Sequence, residues 1–282
     1  MNPTHLLLLD DDPSYCLQLQ EAARAYRFDI TFCHNLEDGL EELISSRRYK
    51  AVILDGRCFI EHEQQGTARS NFVYHALQRI ADIENEYNRT IPFCINSEHP
   101  DDFREDLEGI AHVFKKTIQH DALFEWLKDT IYLLPETTIR KQYHDIFEKI
   151  APHFSEEEEE LLIDVLQSAS TSDRALIITN LALLRRLLER LVDVACIEKL
   201  NKQPHEFATG TGSRTRRIID ALHLRVLPSE LYSDANYLYK ICSRFGNHVT
   251  LANLKNNTYL PGKYGLQRLT FSFLELACFL LK

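Results

Sequence analysis

The sequence predicts an α/β domain with a doubly wound parallel sheet, followed by an all-α domain. Over residues 1–133, short apolar runs that end on polar or charged residues alternate with stretches of helical periodicity. This alternation is typical of a parallel sheet whose strands are joined by right-handed helical crossovers. From residue 134 onward, almost the whole chain carries apolar residues at helical spacing. The second half of the chain is therefore predicted to be helical.

Four strands are predicted from apolar runs, at residues 6–9, 51–54, 91–95 and 112–114. Each run is short and bounded by polar residues, as is typical of a buried parallel strand. Helical patterns lie between the runs, for example at Leu40, Leu43 and Ile44, and at Leu123, Trp126 and Leu127. The crossovers should bring the carboxyl ends of the strands to one edge of the sheet, where open α/β folds bind ligands.

The residues that follow the strands carry carboxylates, a hydroxyl and an ammonium: Asp10, Asp11, Asp55, Ser97 and Lys116. Neighbouring carboxylates repel one another unless a cation offsets them, and their hard oxygens suit Mg²⁺. With Asp55 as nucleophile and Ser97 and Lys116 holding phosphate oxygens, the set would form a phosphoryl-transfer site. Taken alone, the aspartate run favours an acidic turn that caps a helix beginning at Pro13. The other strand ends outweigh that interpretation.

On these residues, the segment from residue 1 to about 133 resembles the response regulator receiver domain, which has a flavodoxin-like (βα)5 fold. The resemblance implies that Asp55 is the phosphoacceptor. It also implies that Asp10 and Asp11 hold Mg²⁺, with Asp11 preferred as the direct ligand. Asp55 itself and the backbone carbonyl of Arg57 would complete the protein's share of the metal ligands.

The same resemblance implies that Ser97 is the hydroxyl switch residue and that Lys116 contacts the phosphoryl group. Lys116 lies seven residues before Leu123, as the family spacing requires, and Lys115 is the weaker alternative because it breaks this spacing. The implied cofactor is Mg²⁺. The implied partner is a histidine kinase or phosphotransfer protein of a two-component phosphorelay.

The sequence departs from the receiver pattern on its signalling side. Cys58 and Phe59 stand where the family usually has Met-Pro, and a longer loop follows over residues 60–68. Thr117 replaces the proline expected after the lysine, and Val113 occupies the aromatic switch position. The segment between Ser97 and Lys116 is short, which predicts a reduced fourth helix. The pocket is thus predicted to be complete while the coupling of phosphorylation to output is altered.

Charge is distributed unevenly along the 282 residues, whose formal net charge is −10. Residues 1–133 hold 13 Lys and Arg against 24 Asp and Glu, whereas residues 171–282 hold 16 against 9, a net +7. A basic half can attract RNA, DNA or an acidic protein surface. Docking against its own acidic receiver, or simple solvation, is the preferred interpretation.

Composition predicts a cytoplasmic protein without a membrane span. The seven cysteines form no Cys-x-x-Cys pair, which favours free thiols in a reducing compartment and argues against zinc. No apolar run approaches the ~18 residues of a membrane span. No secretory leader precedes the first strand.

A linker or helix is predicted over residues 134–154 and an all-helical output or interaction domain over 155–282. Ser155 is a predicted N-cap, and helices are predicted over 173–200, 214–225, 231–245 and 264–281. Through the helical runs 184–189 and 235–245, this half resembles a HEPN-like domain. That family can carry an arginine and a histidine, four to six residues apart, as a metal-independent RNase site. Only three residues separate Arg244 from His248. A degenerate interaction domain, with Arg244 and His248 as an output site, is therefore preferred to an RNase.

Together these features predict a two-component response regulator that is phosphorylated on Asp55 and signals through a helical domain binding protein or RNA. A small-molecule enzyme is not expected. Two alternatives stay open: a phosphate-sink receiver that buffers a kinase, and a phosphorylation-controlled HEPN-type RNase. The resemblance is also compatible with a homodimer.

Overall fold

The computed structural model describes residues 3–61, 71–87, 89–209, 212–245 and 260–281. Its contacts divide the chain into two compact units, Met1–Thr137 and Thr138–Lys282. The sequence placed the end of the first domain a few residues earlier, near residue 133. The assignment of these units as receiver and output domains stays a prediction.

The first unit contains a five-stranded parallel sheet with the strand order β2-β1-β3-β4-β5. The strands are β1 Thr4–Leu9, β2 Phe28–Cys33, β3 Tyr49–Asp55, β4 Phe93–Ser97 and β5 His112–Lys115. The intervening helices are α1 Pro13–Ala23, α2 Leu36–Ser45, α3 Phe72–Tyr87, α4 Asp101–Arg104 and α5 His120–Tyr132. This strand order is that of the flavodoxin-like doubly wound fold. The predicted fold class is confirmed.

Helices cover both faces of the sheet, and the four leucines of β1 show how. Leu7 and Leu9 contact the apolar cluster that α2 and α3 contribute, whereas Leu6 and Leu8 contact the cluster from α1 and α5. All four are fully buried. A strand buried on both faces is a continuous apolar run, because successive side chains point to opposite faces of the sheet.

The sequence did not locate the second strand, β2. Its residues Phe28 to Cys33 alternate apolar and polar side chains, and β2 is an edge strand with only partial burial. An edge strand needs no continuous apolar run, so the signal that marked the inner strands is absent. The predicted reduction of the fourth helix is confirmed, because α4 spans only Asp101–Arg104.

The described residues of the second unit form helices and no strands. The chain division falls within α6, Pro135–Gln142, and the helices after it are α7 His144–Ile150, α8 Glu156–Ser168, α9 Arg174–Leu200, α10 Arg214–His223, α11 Ser229–Phe245 and α12 Lys263–Leu280. The segment 134–154, predicted as a linker or helix, holds α6 and α7. Among the helices that the structure describes, none is both long and apolar enough to cross a membrane.

Helix α9 is the centre of the second unit and contacts α8, α10, α11 and α12. Its buried stripe includes Leu181, Leu184, Leu188 and Leu191. The predicted N-cap at Ser155 is confirmed, and the structure adds an N-cap at Asp173. Ser155 forms a capping box with Glu158 at the start of α8, and the Asp173 carboxylate accepts from the first amides of α9. Such caps satisfy amide groups that have no partner inside the helix.

Candidate functional site

Four strand ends meet at one edge of the sheet in the first unit. Asp10 follows β1, Asp55 ends β3, Ser97 ends β4 and Lys116 follows β5. The parallel register places Leu9 beside Leu54, Asp55 beside Asn96 and Ser97 beside Lys115. The residues predicted from the strand ends are therefore brought together. Their chemical roles stay predictions.

An ion triad lies at the centre of this edge. The Lys116 Nζ is 2.7 Å from Asp10 Oδ2 and 3.1 Å from Asp55 Oδ1. Relative exposure is 0% for Asp10, 7% for Asp55 and 8% for Lys116, so all three charges are buried. Lys115 is exposed. Of the two candidate lysines, only Lys116 contacts these carboxylates.

Burial and mutual repulsion change the protonation of the triad. Burial, together with the charge of Asp10, raises the pKa of Asp55 from its ordinary 3.8 to about 7, and Lys116 opposes this shift. Burial likewise raises the pKa of Asp10, against the lowering effect of Lys116. For Lys116, burial would lower the pKa, but the two carboxylates outweigh it and the pKa rises. Two buried carboxylates sharing one ammonium leave a negative charge without compensation.

The triad and Asp11 form an acidic cluster that could bind a metal. Asp10, Asp11 and Asp55 each offer one oxygen, and these oxygens lie within 4.8 Å of one another. Three carboxylates beside the single Lys116 ammonium leave an excess of two negative charges when all are ionised. A divalent cation with oxygen preference would offset this excess. The donor set therefore fits the expected Mg²⁺.

Arg57, expected to ligate the metal through its backbone carbonyl, has its side chain directed elsewhere. The guanidinium forms an ion pair with Asp102 of α4 at 3.0 Å, and both side chains are about half exposed. This pair links the loop after β3 to α4. The role of the Arg57 carbonyl stays a prediction.

Gly56 leaves room for the side chains of Ser97 and Phe103 beside the backbone that follows Asp55. A Cβ atom at Gly56 would be 2.5 Å from Ser97 Oγ and 2.6 Å from Phe103 Cε2. Both distances are below van der Waals contact, so only glycine fits here without displacement. The Ser97 hydroxyl also accepts from the His99 amide at 3.1 Å. Gly56 was not among the residues predicted from the sequence, although a glycine directly after a strand-end aspartate is a signal that could have identified it.

Three further residues beside the triad were also missed. They are Tyr15, Asn96 and His120. The Lys116 Nζ lies 4.7 Å from the centre of the Tyr15 ring, and the Tyr15 hydroxyl is hydrogen-bonded to both Asn96 and His120. No short sequence motif joins these positions, because they lie on α1, β4 and α5. Only the fold brings them together.

The predicted output pair lies in the second unit. Arg244 is exposed in the last turn of α11, with its guanidinium 5.7 Å from the ring of Phe245. His248 falls outside the described residues. The geometry of the Arg244 and His248 pair is thus not tested, and the likeness to HEPN domains stays a prediction.

Comparison with known proteins gives a weak similarity to a solved structure. No protein-family model and no curated protein match the chain. The solution NMR structure of the Erythrobacter litoralis PhyR response regulator REC domain is similar at 16% identity and a TM-score of 0.35. The match covers 48% of this chain and 94% of that chain. A similarity at this level assigns no function, and the fold assignment depends on the strand order described above.

Proposed function

We propose that the chain is a two-component response regulator whose first unit accepts a phosphoryl group on Asp55 with Mg²⁺. One observation carries the proposal: Asp55 ends a buried strand beside Asp10 and Asp11, with the buried Lys116 ammonium 3.1 Å from its carboxylate. A nucleophilic carboxylate, an adjacent metal-binding pair and a fixed cation are what phosphoryl transfer to an aspartate needs.

The step would be an in-line displacement at phosphorus. An Asp55 carboxylate oxygen forms the new P–O bond while the P–N bond of a phosphohistidine breaks, and the leaving imidazole nitrogen takes up a proton. Lys116 and the Ser97 hydroxyl would contact oxygens of the transferred group. When bound, Mg²⁺ offsets the negative charge of the carboxylates and the phosphoryl oxygens, which favours ionised Asp55.

We further propose that the helical unit conveys the signal by binding a protein or RNA partner. The net charge of +7 over residues 171–282 supports a partner with an acidic surface or a phosphate backbone. The donor of the phosphoryl group would be a histidine kinase or phosphotransfer protein.

Intact mass spectrometry after incubation with acetyl phosphate and Mg²⁺ tests the proposal. We expect one phosphoryl adduct, lost when Mg²⁺ is chelated and absent from Asp55→Asn. Asp82→Asn, which changes an exposed aspartate on α3, is the matched control and should be phosphorylated like the wild type. An adduct that survives Asp55→Asn would refute the assignment of the phosphoacceptor.

A further inference from the structure

The surroundings of Lys116 contain more than the two carboxylates. Its ammonium lies between Asp10 and Asp55, at 2.7 Å and 3.1 Å, and the ring of Tyr15, whose centre is 4.7 Å away. Tyr15 is the third residue of α1 and is 5% exposed. A cation at this distance from an aromatic face is attracted to it, more strongly when water is excluded.

We infer that Tyr15 is a positioning residue for Lys116 in the proposed phosphoryl transfer, and that Asn96 and His120 hold Tyr15 in place. The inference rests on the proposed function for its catalytic meaning. A lysine side chain has several rotatable bonds, and its ammonium is a point charge without directional fork geometry. A ring packed against the ammonium restricts where it can sit before the phosphoryl group arrives.

The hydroxyl of Tyr15 is fixed from two sides. The Asn96 side-chain amide, buried on β4 beside Asp55, donates to the Tyr15 oxygen. A tyrosine hydroxyl has one proton to donate. With Asn96 as donor to the oxygen, that proton is directed to His120 Nε2, 3.0 Å away. The bridge therefore connects β4, α1 and the start of α5.

His120 also holds the backbone that follows Lys116. The Thr117 amide donates to the same Nε2 at 3.2 Å. Two donors directed at one ring nitrogen require it to be an acceptor, so His120 is neutral in this arrangement. Thr117 has φ of 64°, which is costly for a β-branched residue, and its hydroxyl donates to the Lys116 carbonyl at 2.7 Å. The bond to His120 stabilises a turn that the threonine alone disfavours.

These contacts restrain both the backbone and the ammonium of Lys116. Its backbone continues into a turn that is hydrogen-bonded to His120, and its ammonium lies against the Tyr15 ring. Tyr15 and His120 are hydrogen-bonded to each other. Val113, at the position where receivers carry an aromatic switch, takes no part in these contacts, so Tyr15 is the aromatic side chain that lies against the lysine.

Two measurements on the full chain test the inference, and the first needs no phosphorylation. In protein labelled with ¹³C-lysine, the ε-methylene signal of Lys116, assigned by its absence from Lys116→Arg, should be displaced upfield by the Tyr15 ring current. Tyr15→Phe should retain the displacement and Tyr15→Leu should remove it. A Lys116 signal that Tyr15→Leu leaves unchanged would overturn the inference, even if the chain takes up no phosphoryl group.

The second measurement is the phosphorylation rate at saturating acetyl phosphate and Mg²⁺. Tyr15→Leu should lower the maximal rate about 10-fold and Tyr15→Phe about 3-fold, because cation–π and single hydrogen-bond contributions are of this size. In a Lys116→Ala background, neither change should lower the rate further. Equal losses with and without Lys116 would show that Tyr15 only supports the fold.

His120→Ala provides a second variant if Tyr15→Leu does not fold. It leaves the ring in place and removes the acceptor, and we expect it to slow phosphorylation about 3-fold, as Tyr15→Phe does. Unchanged rates in both His120→Ala and Tyr15→Phe would refute the role of the hydroxyl bridge. Absence of phosphorylation in the wild type would instead refute the proposed function and leave the NMR result to decide the contact between Tyr15 and Lys116.

Discussion

At the scale of single residues, the site at the sheet edge holds charges in an arrangement that folding alone would not favour. Asp10 and Asp55 are buried side by side with one ammonium between them. Replacing such groups by neutral ones of similar shape is often neutral or stabilising, because desolvation costs more than pairing returns. The arrangement is understandable if a cation and a phosphoryl group complete it.

The first prediction is that Asp55→Asn stabilises the metal-free chain, and more so at pH 8 than at pH 5. The pKa of Asp55 is about 7 in the folded state against an ordinary 3.8. Between these values the folded state binds a proton that the unfolded state releases, so wild-type stability falls as the pH rises. Asparagine removes this loss, and we expect a gain of about 1–3 kcal/mol at pH 8.

Urea unfolding followed by the fluorescence of Trp126 measures this effect, because the chain has one tryptophan and it lies in α5. Asp82→Asn, at an exposed position of α3, is the control and should change stability by less than about 0.5 kcal/mol. A stability difference between wild type and Asp55→Asn that does not grow with pH would contradict the assigned protonation of Asp55.

The second prediction concerns Gly56→Ala. The added methyl group would overlap Ser97 and Phe103, so we expect a loss of about 1–3 kcal/mol in unfolding free energy together with slower phosphorylation. The control is Gln18→Ala, at an exposed position of α1, which should change stability by less than about 0.5 kcal/mol. Equal stabilities of Gly56→Ala and the control would show that the neighbouring side chains move aside freely.

Site residues could be predicted from the sequence where a polar or charged residue directly follows an apolar run. Asp10, Asp55, Ser97 and Lys116 follow strands, and the rule that parallel strands end at one edge was enough to group them. Tyr15 and His120 could not be found this way. An aromatic residue early in a helix is ordinarily a core residue. The packing of α1 that brings Tyr15 against Lys116 exists only in the folded chain.

At the scale of elements, the loop after Asp55 is hydrogen-bonded to the start of α2. The Leu36 amide donates to the Phe59 carbonyl at 3.0 Å, and the Glu37 amide donates to the Ile60 carbonyl at 3.2 Å. The first amides of a helix have no partner inside it, so this loop satisfies them. A shift of the loop after Asp55 would be transmitted directly to α2.

The third prediction follows from these bonds. Beryllofluoride with Mg²⁺, used as a phosphoryl mimic, should change amide hydrogen exchange at Leu36 and Glu37 more than in α4. Helix α4 is short, and Val113 lacks the ring whose movement would couple β5 to output. Asp55→Asn treated in the same way should show no change. Protection changes confined to residues 98–116 would mean that the signal leaves through α4 and β5.

Element boundaries were predictable in proportion to burial. The inner strands and α9 carry continuous or periodic apolar residues, and their predicted positions agree with the structure to within a few residues. Strand β2 lies at an edge and has no continuous apolar run. Helices α6 and α7 are short, so their helical periodicity does not reach the length that distinguishes a helix from a loop. Their formation depends on tertiary contacts.

At the scale of the whole molecule, an acidic α/β unit is followed by a helical unit whose later part is basic. Residues 1–133 carry a net charge of −11 and residues 171–282 a net charge of +7. Charge of this kind increases association with polyanions in a salt-dependent manner, without specifying which polyanion. It therefore permits RNA contact and carries no information on cleavage.

The last prediction is that the chain does not cut RNA. Metal-independent cleavage needs a base within hydrogen-bond reach of the 2′-hydroxyl and a cation at the scissile phosphate. Arg244 is exposed at the end of α11, where a basic residue ordinarily interacts with the helix dipole, and only three residues separate it from His248. Single-stranded and structured RNA should therefore stay intact in EDTA, both with the full chain and with residues 138–282. Wild type, Arg244→Ala and His248→Ala should leave equal amounts of intact RNA.

Cleavage that His248→Ala abolishes would establish the nuclease instead. Binding that weakens steeply with salt, without cleavage, would identify RNA as the partner of the helical unit, because counterion release makes phosphate contacts salt-dependent.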